Sequence, residues 1–331
     1  MMTAPTPRAT RRCTLSIIVP VFNEEEALPA LHRRLVQVLR HSGISWEIVY
    51  VDDGSSDGTA AVLAALQAGE PAVAVARLSR NFGKEAAMSA GLRLALGQAV
   101  VLIDADLQDP PELIPEMVQA WREGADLVQM RRRTRSGETW LKRATAHAFY
   151  RVMNRLSQVP IPPDVGDFRL LSRRAVQALN RLPEHNRFMK GLFAWVGFRQ
   201  VTIDYDRQPR AAGTTKWRYR KLWHFALEGI TGFSVAPLKL ATWAGLLSAL
   251  VAFIYALVFV FKTLVFGERV AGFPTLIVTT LLLGGFQLLS IGILGEYLGR
   301  LFIETKRRPL FLLEDHRPSR PARAGELKAD A

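Results

Sequence analysis

Cysteine is almost missing from this 331-residue chain. Cys13 stands alone, so no intramolecular disulfide can form, and the composition fits a reducing compartment. Glycine-rich phosphate loops are missing as well. Neither GxGxxG nor GxxxxGK[ST] follows the first apolar strand, Leu15–Val19, which argues against NAD enzymes and P-loop NTPases. His32, His41, His147, His185, His224 and His316 have no metal-ligand spacing and read as surface or packing residues. No signal peptide is expected: residues 1–12 are polar and Arg-containing, and Leu15–Val19 is too short to serve as one. Charge is absent where its absence says most. No charged residue occurs from Leu240 to Phe261, nor from Val270 to Gly295. At about 20 residues per span, each run can cross a bilayer as a helix. A short connector with Glu268 and Arg269 joins them, so the pair reads as a hairpin with both chain ends on one side.

The basic residues set that side. Arg207, Arg210, Lys216, Arg218, Arg220 and Lys221 precede the first run, and Arg300, Lys306, Arg307 and Arg308 follow the second. The connector holds only Arg269, with Lys262 at its edge, so the positive-inside rule places the large N-terminal part in the cytoplasm at the plasma (inner) membrane. The net charge of +13 raises nucleic acid as a partner. Much of the excess lies beside the spans and in the tail after Arg317, where attraction to anionic membrane lipid explains it better. Nucleic acid is therefore not an expected partner.

Residues 14–130 alternate strand and helix signals. Strands are expected at Leu15–Val19, Trp46–Val51, Val73–Leu78, Ala99–Ile103 and Asp126–Met130. Helices are expected at Thr59–Leu66, Glu85–Leu96 and Pro111–Trp121. Another should begin at Asn23-Glu-Glu-Glu26, with a side-chain cap and acids in its first turn. Strands separated by such helices imply right-handed βαβ units and an α/β fold with a mostly parallel sheet. After Arg131 the alternation weakens. Thr139–Leu156 reads as a helix, Pro160–Pro163 as a rigid loop, Phe168–Leu171 as a strand, Ser172–Asn180 as a capped helix and Val201–Asp204 as a return to the sheet. Basic and bulky apolar residues mix over Arg218–Phe233, which fits an amphipathic helix in the membrane interface.

The chemistry gathers where strands end in acids. Val101-Leu-Ile-Asp104-Ala-Asp106-Leu-Gln108 puts two carboxylates at the carboxyl edge of the sheet, where open α/β folds bind ligands. Hard oxygen donors with no His or Cys nearby suit Mg²⁺ or Mn²⁺, ions that bridge carboxylates and substrate phosphates. Asp109-Pro-Pro-Glu112 reads instead as a capping box with proline at the first helical position. A second acidic loop, Asp52-Asp53-Gly54-Ser55-Ser56-Asp57-Gly58-Thr59, also follows a strand. Asp52 can accept from a pyrimidine imide N–H or a ribose hydroxyl, whereas Asp57 is a helix cap.

SIIVPVFNEEEAL, VDDGSSDGT, SRNFGKEAAMSAGL and DADLQDPPE, in this order and spacing, resemble the inverting family 2 glycosyltransferases of GT-A fold, a Rossmann-like architecture. Among them the chain is similar to the polyprenyl-phosphate glycosyltransferases, which include dolichol-phosphate mannosyltransferases and bactoprenol glucosyltransferases. The likeness continues through RRTRSGETW, GDFRLLSRRAV, AGTTKW and LLGEYLGRLFIETKRRP, and so covers about residues 14–312. The basic block and the region beside the spans are its more specific parts.

The resemblance implies a role for each matching residue. Pro20, Phe22, Glu24 and Asp52 would hold the uridine of a UDP-sugar donor, with Lys84 near the nucleotide. Asp104, Asp106 and Gln108 would bind the cation. Asp167 would stand by the reacting centre with Arg169 beside it, either positioning the acceptor or taking a residual proton. Arg132, Arg135, Arg207, Arg210 and Lys216 would receive phosphates of the donor or of a polyprenyl phosphate acceptor. Thr214-Thr215 stands where relatives often carry Glu-Ser. The implied reaction moves one hexose, with glucose favoured, from UDP to undecaprenyl phosphate. GDP-mannose and a UDP-linked aminoarabinose are alternative donors. A processive synthase would need a Gln-x-x-Arg-Trp block, which is absent, and a non-catalytic scaffold or flippase component would not need the acids.

The expected organisation is a disordered N-terminus at residues 1–13, a GT-A domain at 14–215, an interfacial helix at 216–235, spans at 238–262 and 272–298, and a basic cytoplasmic tail at 299–331. The resemblance also implies a homo-oligomer packed through the spans.

Overall fold

A computed structural model describes residues 13–133, 165–185, 187–206, 236–266 and 272–321. The expected helix at Thr139–Leu156, the Pro160–Pro163 loop and the interfacial helix at 216–235 lie outside the described residues, as do Arg135, Arg207, Arg210 and Lys216.

Hydrophobic alternation builds the frame. Strands β1 (Leu15–Val21), β2 (Trp46–Asp52), β3 (Val73–Leu78) and β4 (Ala99–Leu102) are interleaved with helices α1 (Leu28–His41), α2 (Thr59–Gly69) and α3 (Lys84–Leu94). A short 3₁₀ turn, Pro111–Leu113, leads into α4 (Ile114–Arg122) and β5 (Leu127–Arg132). There follow β6 (Val165–Ser172), α5 (Arg173–Arg181), α6 (Met189–Trp195) and β7 (Gln200–Tyr205). The long helices α7 (Ala236–Phe266) and α8 (Phe273–Thr305) precede a last strand, β8 (Leu313–Arg317). One eight-stranded sheet results, in the order β7-β5-β6-β4-β1-β2-β3-β8. β6 and β8 are antiparallel to their neighbours, and the other strands share one direction. The mostly parallel α/β sheet read from the sequence is the observed fold.

Successive side chains leave opposite faces of the sheet. On one face Ile17, Val19 and Val101 pack with Leu28, Leu31 and Leu35 of α1 and Ile114 and Met117 of α4. On the other, Ile18, Val100 and Leu102 pack with Met88 of α3, Val176 of α5 and Phe193 of α6. Because both faces are covered, every strand end at the carboxyl edge is held from two sides. Gly91 lets α3 lie close to the sheet, since a Cβ there would come within 2.3 Å of the Ile18 side chain.

Two local expectations are corrected. Asn23 does not cap α1: the helix starts after Ala27 with no side-chain cap and no acid in its first turn. Asn23 turns into the left-handed region (φ 56°) and its Oδ1 accepts from the Ser56 N–H at 2.9 Å, while Glu25 accepts from the Gly58 N–H at 2.7 Å. The Asn-Glu run thus ties the β1 loop to the β2 loop. Asp109 and Glu112 do not form a capping box either. Asp109 is buried and accepts from the Tyr205 hydroxyl at 2.5 Å, and Glu112 takes a two-pronged bond from Arg34. Within the residues expected as the tail, 299–331, lies a strand that the sequence did not announce. β8 follows α8 closely and pairs antiparallel with β3, because an open edge of unpaired backbone groups lay within its reach. The cap expected at Ser172 is present, its Oγ accepting from the Ala175 N–H at 3.3 Å.

The apolar runs form two packed helices with candidate spans Leu238–Val265 and Val278–Thr305, of mean hydropathy 2.5 and 1.8. None of their described side chains is buried; Leu247 and Phe253 are 63% and 64% accessible. Surfaces this apolar and this long fit a membrane-anchored protein rather than a water-borne helix pair.

Candidate functional site

Three loops at the carboxyl edge bring the acids together. β4 ends at Leu102, and Asp104 follows with its side chain 23% exposed. Asp106 accepts from the Gln108 N–H at 3.2 Å, which curls the loop back on itself. Leu107 sits between them at φ 60°, a conformation that costs a bulky side chain energy and that recurs where a site requires it.

From β6, next to β4 in the sheet, comes Asp167, 17% exposed. Lys84, the first residue of α3, reaches both acids: its Nζ lies 2.6 Å from Asp104 Oδ1 and 2.5 Å from Asp167 Oδ2. Burial alone would lower the Lys84 ammonium, but the two carboxylates outweigh it and hold the group above its ordinary range. Burial also pushes Asp167 up, yet Lys84 and then Lys190 of α6 more than reverse this, and the carboxyl lies well below the usual carboxylate range. Arg169 is buried, stacks over the Phe193 ring at 3.9 Å and donates to the Gly166 carbonyl at 2.5 Å. Desolvation brings its guanidinium down to about 10. Glu85, beside Lys84, is pushed up to about 8 by burial and then by Asp167.

Asp52 is buried at the end of β2. Its Oδ1 accepts from the Ser55 N–H at 2.9 Å, whereas Oδ2 accepts no hydrogen bond among the described residues. Asp53 has a different task. Its two oxygens accept from the Phe82 and Gly83 N–H groups at 2.7 and 2.9 Å, clasping the loop that launches Lys84. Gly54 allows this approach: it takes φ 71°, and a Cβ there would lie 2.6 Å from the Arg80 carbonyl carbon. Asp53→Ala is therefore expected to cost about 2–3 kcal/mol through two unsatisfied N–H groups and a freed loop. In detergent-solubilised protein Tm should fall by about 5 °C, and an unchanged Tm would rule the clasp out.

The structure thus brings Lys84, Asp104 and Asp167 into direct contact, with Asp106 and Gln108 on the loop after β4 and Arg169 on β6. Arg131 and Arg132 part company. Arg131 pairs with Asp204 across β5 and β7, with Nε 2.6 Å from Oδ1. Arg132 is half-buried beside Gly166 and Tyr205, and burial is offset there by Tyr205, Asp109 and Asp104. Pro20 is half-buried and Phe22 is 45% exposed at the end of β1; the Glu24 N–H donates to Thr59 Oγ1 at 3.0 Å. Sequence reasoning missed Asp53, Glu85 and Lys190. The doubled acid in Asp52-Asp53 was a usable signal for the first; nothing local marked the others.

Known proteins match this chain along most of its length. The glycosyl transferase family 2 profile matches residues 16–179. An uncharacterised glycosyltransferase of Synechocystis sp. is 52% identical over 91% of this chain and 95% of its own. The prophage bactoprenol glucosyl transferase homolog of Escherichia coli is 46% identical over 91% and 98%, and the bactoprenol glucosyl transferase of Shigella phage SfV is 46% identical over 92% and 99%. Among solved structures, mannosyl-3-phosphoglycerate synthase from Rubrobacter xylanophilus aligns at TM-score 0.46 with 19% identity, over 65% of this chain and 71% of its own. Similarity at this level across nine-tenths of both chains places the protein among the family 2 glycosyltransferases, as an enzyme of that family.

Proposed function

We propose that the protein transfers one hexose, glucose above others, from a UDP-sugar to undecaprenyl phosphate at the cytoplasmic face of the membrane. The observation that carries this reading is the convergence of Asp104 and Asp167 on Lys84 at the rim of the sheet, in a chain that also bears two apolar spans. The 46% identity to bactoprenol glucosyl transferases supports the lipid acceptor.

The donor set fits a hard divalent cation. Asp104 and Asp106 are alternate residues at a strand end, with oxygen donors only and Gln108 beside them. Among the described residues no three His, Cys, Asp or Glu side chains converge. That arrangement suits Mg²⁺ or Mn²⁺, which take their remaining ligands from water and substrate phosphates rather than from a protein cage. Bound there, the ion supplies charge stabilisation to the departing diphosphate.

The remaining work belongs to the chain. Asp52 accepts the imide N–H of the uracil with Oδ2, the oxygen that takes no hydrogen bond among the described residues, and Phe22, Pro20 and Glu24 flank the same loop. Lys84 holds Asp104 and Asp167 in fixed relation and adds positive charge where phosphates must lie. The acceptor is a phosphate monoester with a second pKa of about 6, so it arrives ionised at neutral pH and needs no strong base. Asp167, held below its ordinary range by Lys84 and Lys190, is suited to position that acceptor through the lysines. Arg132, Arg135, Arg207, Arg210 and Lys216 receive phosphates of the donor or of the acceptor. One displacement at the anomeric carbon inverts it.

The test is an incubation of the full-length detergent-solubilised protein with undecaprenyl phosphate, MnCl₂ and a panel of UDP- and GDP-sugars. Mass spectrometry of the extracted lipid should show one added hexose with UDP-glucose. A product only with GDP-mannose would replace the donor, and no lipid product with any sugar would remove the acceptor.

A further inference from the structure

The returning strand β8 touches the nucleotide loop through one arginine. Arg77, the β3 residue paired with Asp52 of β2 in the sheet register, extends its guanidinium between two carboxylates. Its Nε lies 3.6 Å from Asp52 Oδ2 and 3.2 Å from Glu314 Oε2 of β8. Neither contact is a well-formed hydrogen bond: Arg77 Nε and Asp52 Oδ2 both stay buried without one among the described residues. A guanidinium prefers a two-pronged, charge-assisted fit to a single carboxylate. Arg77 is instead divided between two carboxylates, and Glu314, the nearer of them, draws it away from Asp52.

β8 is well placed to apply that pull. The Ser79 N–H donates to the Leu312 carbonyl at 3.0 Å, and Phe311 packs against the second core beneath the Arg93 guanidinium, 5.1 Å from its ring centroid. At the far end Gln67 Nε2 donates to the Arg317 carbonyl at 3.1 Å, Ser319 Oγ to Glu47 at 2.5 Å, and the Arg320 N–H to the Pro71 carbonyl at 2.7 Å. Both ends are thus pinned, and Glu314, the neighbour of Arg77's register partner Asp315, lies beside the Arg77 guanidinium. Its side chain is 53% exposed, so no apolar packing depends on it.

We infer that Glu314 is a positioning residue for donor binding: it holds Arg77 short of a hydrogen bond to Asp52 and so leaves Oδ2 unbonded, able to accept a nucleobase N–H. This rests on the reading that Asp52 contacts the base of the donor. With Glu314 neutralised, Arg77 closes on Asp52 and competes with the nucleotide. Because β8 follows α8 after only Lys306–Leu312, nucleotide affinity then depends on the chain that leaves the second span.

Calorimetric titration of the full-length protein with UDP and MnCl₂ tests this. Glu314→Gln should raise the Kd for UDP about fivefold, on the scale of one contested charge-assisted hydrogen bond. Adding Arg77→Met in that background should return Kd to the wild-type value, a rescue that damage to the sheet edge would not give. An unchanged Kd in Glu314→Gln, or a double variant as weak as the single one, overturns the inference. Asp52→Asn checks the underlying reading separately. If it leaves UDP binding intact, the base contact fails; if it weakens binding while Glu314→Gln does not, only the role of Glu314 fails.

Discussion

Turnover should fall about 10²–10³-fold in Asp104→Ala, and as far in Asp106→Ala, with the protein still folded. The size follows from where charge develops. As the anomeric bond breaks, the diphosphate gains negative charge in a site partly closed to water, and stabilisation aimed at that charge lowers the barrier directly. Neither acid supports the core: Asp104 is 23% exposed, and both lie on the loop beyond β4, past the last residues of the parallel pairing. Removing Asp104 also leaves Lys84 paired with Asp167 alone, so the ammonium shifts toward β6. Steady-state kcat at saturating donor with MnCl₂ measures the loss, and circular dichroism checks the fold. Turnover within a few-fold of wild type in both variants would show that these acids hold nothing the reaction needs.

The second large effect concerns Asp167. Burial raises its carboxyl and the lysines reverse this, so the group stays ionised across the working pH range and makes a poor proton acceptor. The acid limb of the rate profile should instead belong to the acceptor phosphate, near its second pKa of about 6. The sign is then fixed: activity rises with pH through that value as the monoester loses its proton. Asp167→Asn should lower kcat about 10–100-fold, because Lys84 loses one of its two anchors and the acceptor its alignment. The acid limb should stay where it was. A loss of about 10⁴-fold together with disappearance of that limb would make Asp167 the base after all. The pH profile of kcat/KM for both proteins, measured with undecaprenyl phosphate as acceptor, decides between them.

Much of this was legible in the residues themselves. Alternating apolar strands and helices gave the parallel half of the sheet from Leu15 to Leu102 almost strand by strand, because each run is bounded by turn residues and both faces are covered. The Asp104–Asp106 loop was legible for the same reason: a buried strand ending in two acids has few other uses. What escaped was whatever depends on contacts distant in sequence. Asn23 and Asp109 look like caps locally, but Ser56 and Tyr205 offered them better hydrogen bonds from other loops. Asp53 could not be told from Asp52 until the Phe82–Gly83 loop was seen folded over it. β8 is polar and short, with no alternation to mark it, and becomes a strand only because β3 presents an unpaired edge. Lys190 joins the site from a seven-residue helix whose sequence carries no chemical signature.

The most direct measurement of the central claim is the anomeric configuration of the lipid product formed from α-linked UDP-glucose, read by NMR as a ¹H coupling constant. Single displacement by an ionised lipid phosphate predicts a β-linked glucosyl phosphate carrying one sugar, lost in the Asp104→Ala protein. An α-linked product, or a chain of several sugars on one lipid, would contradict it.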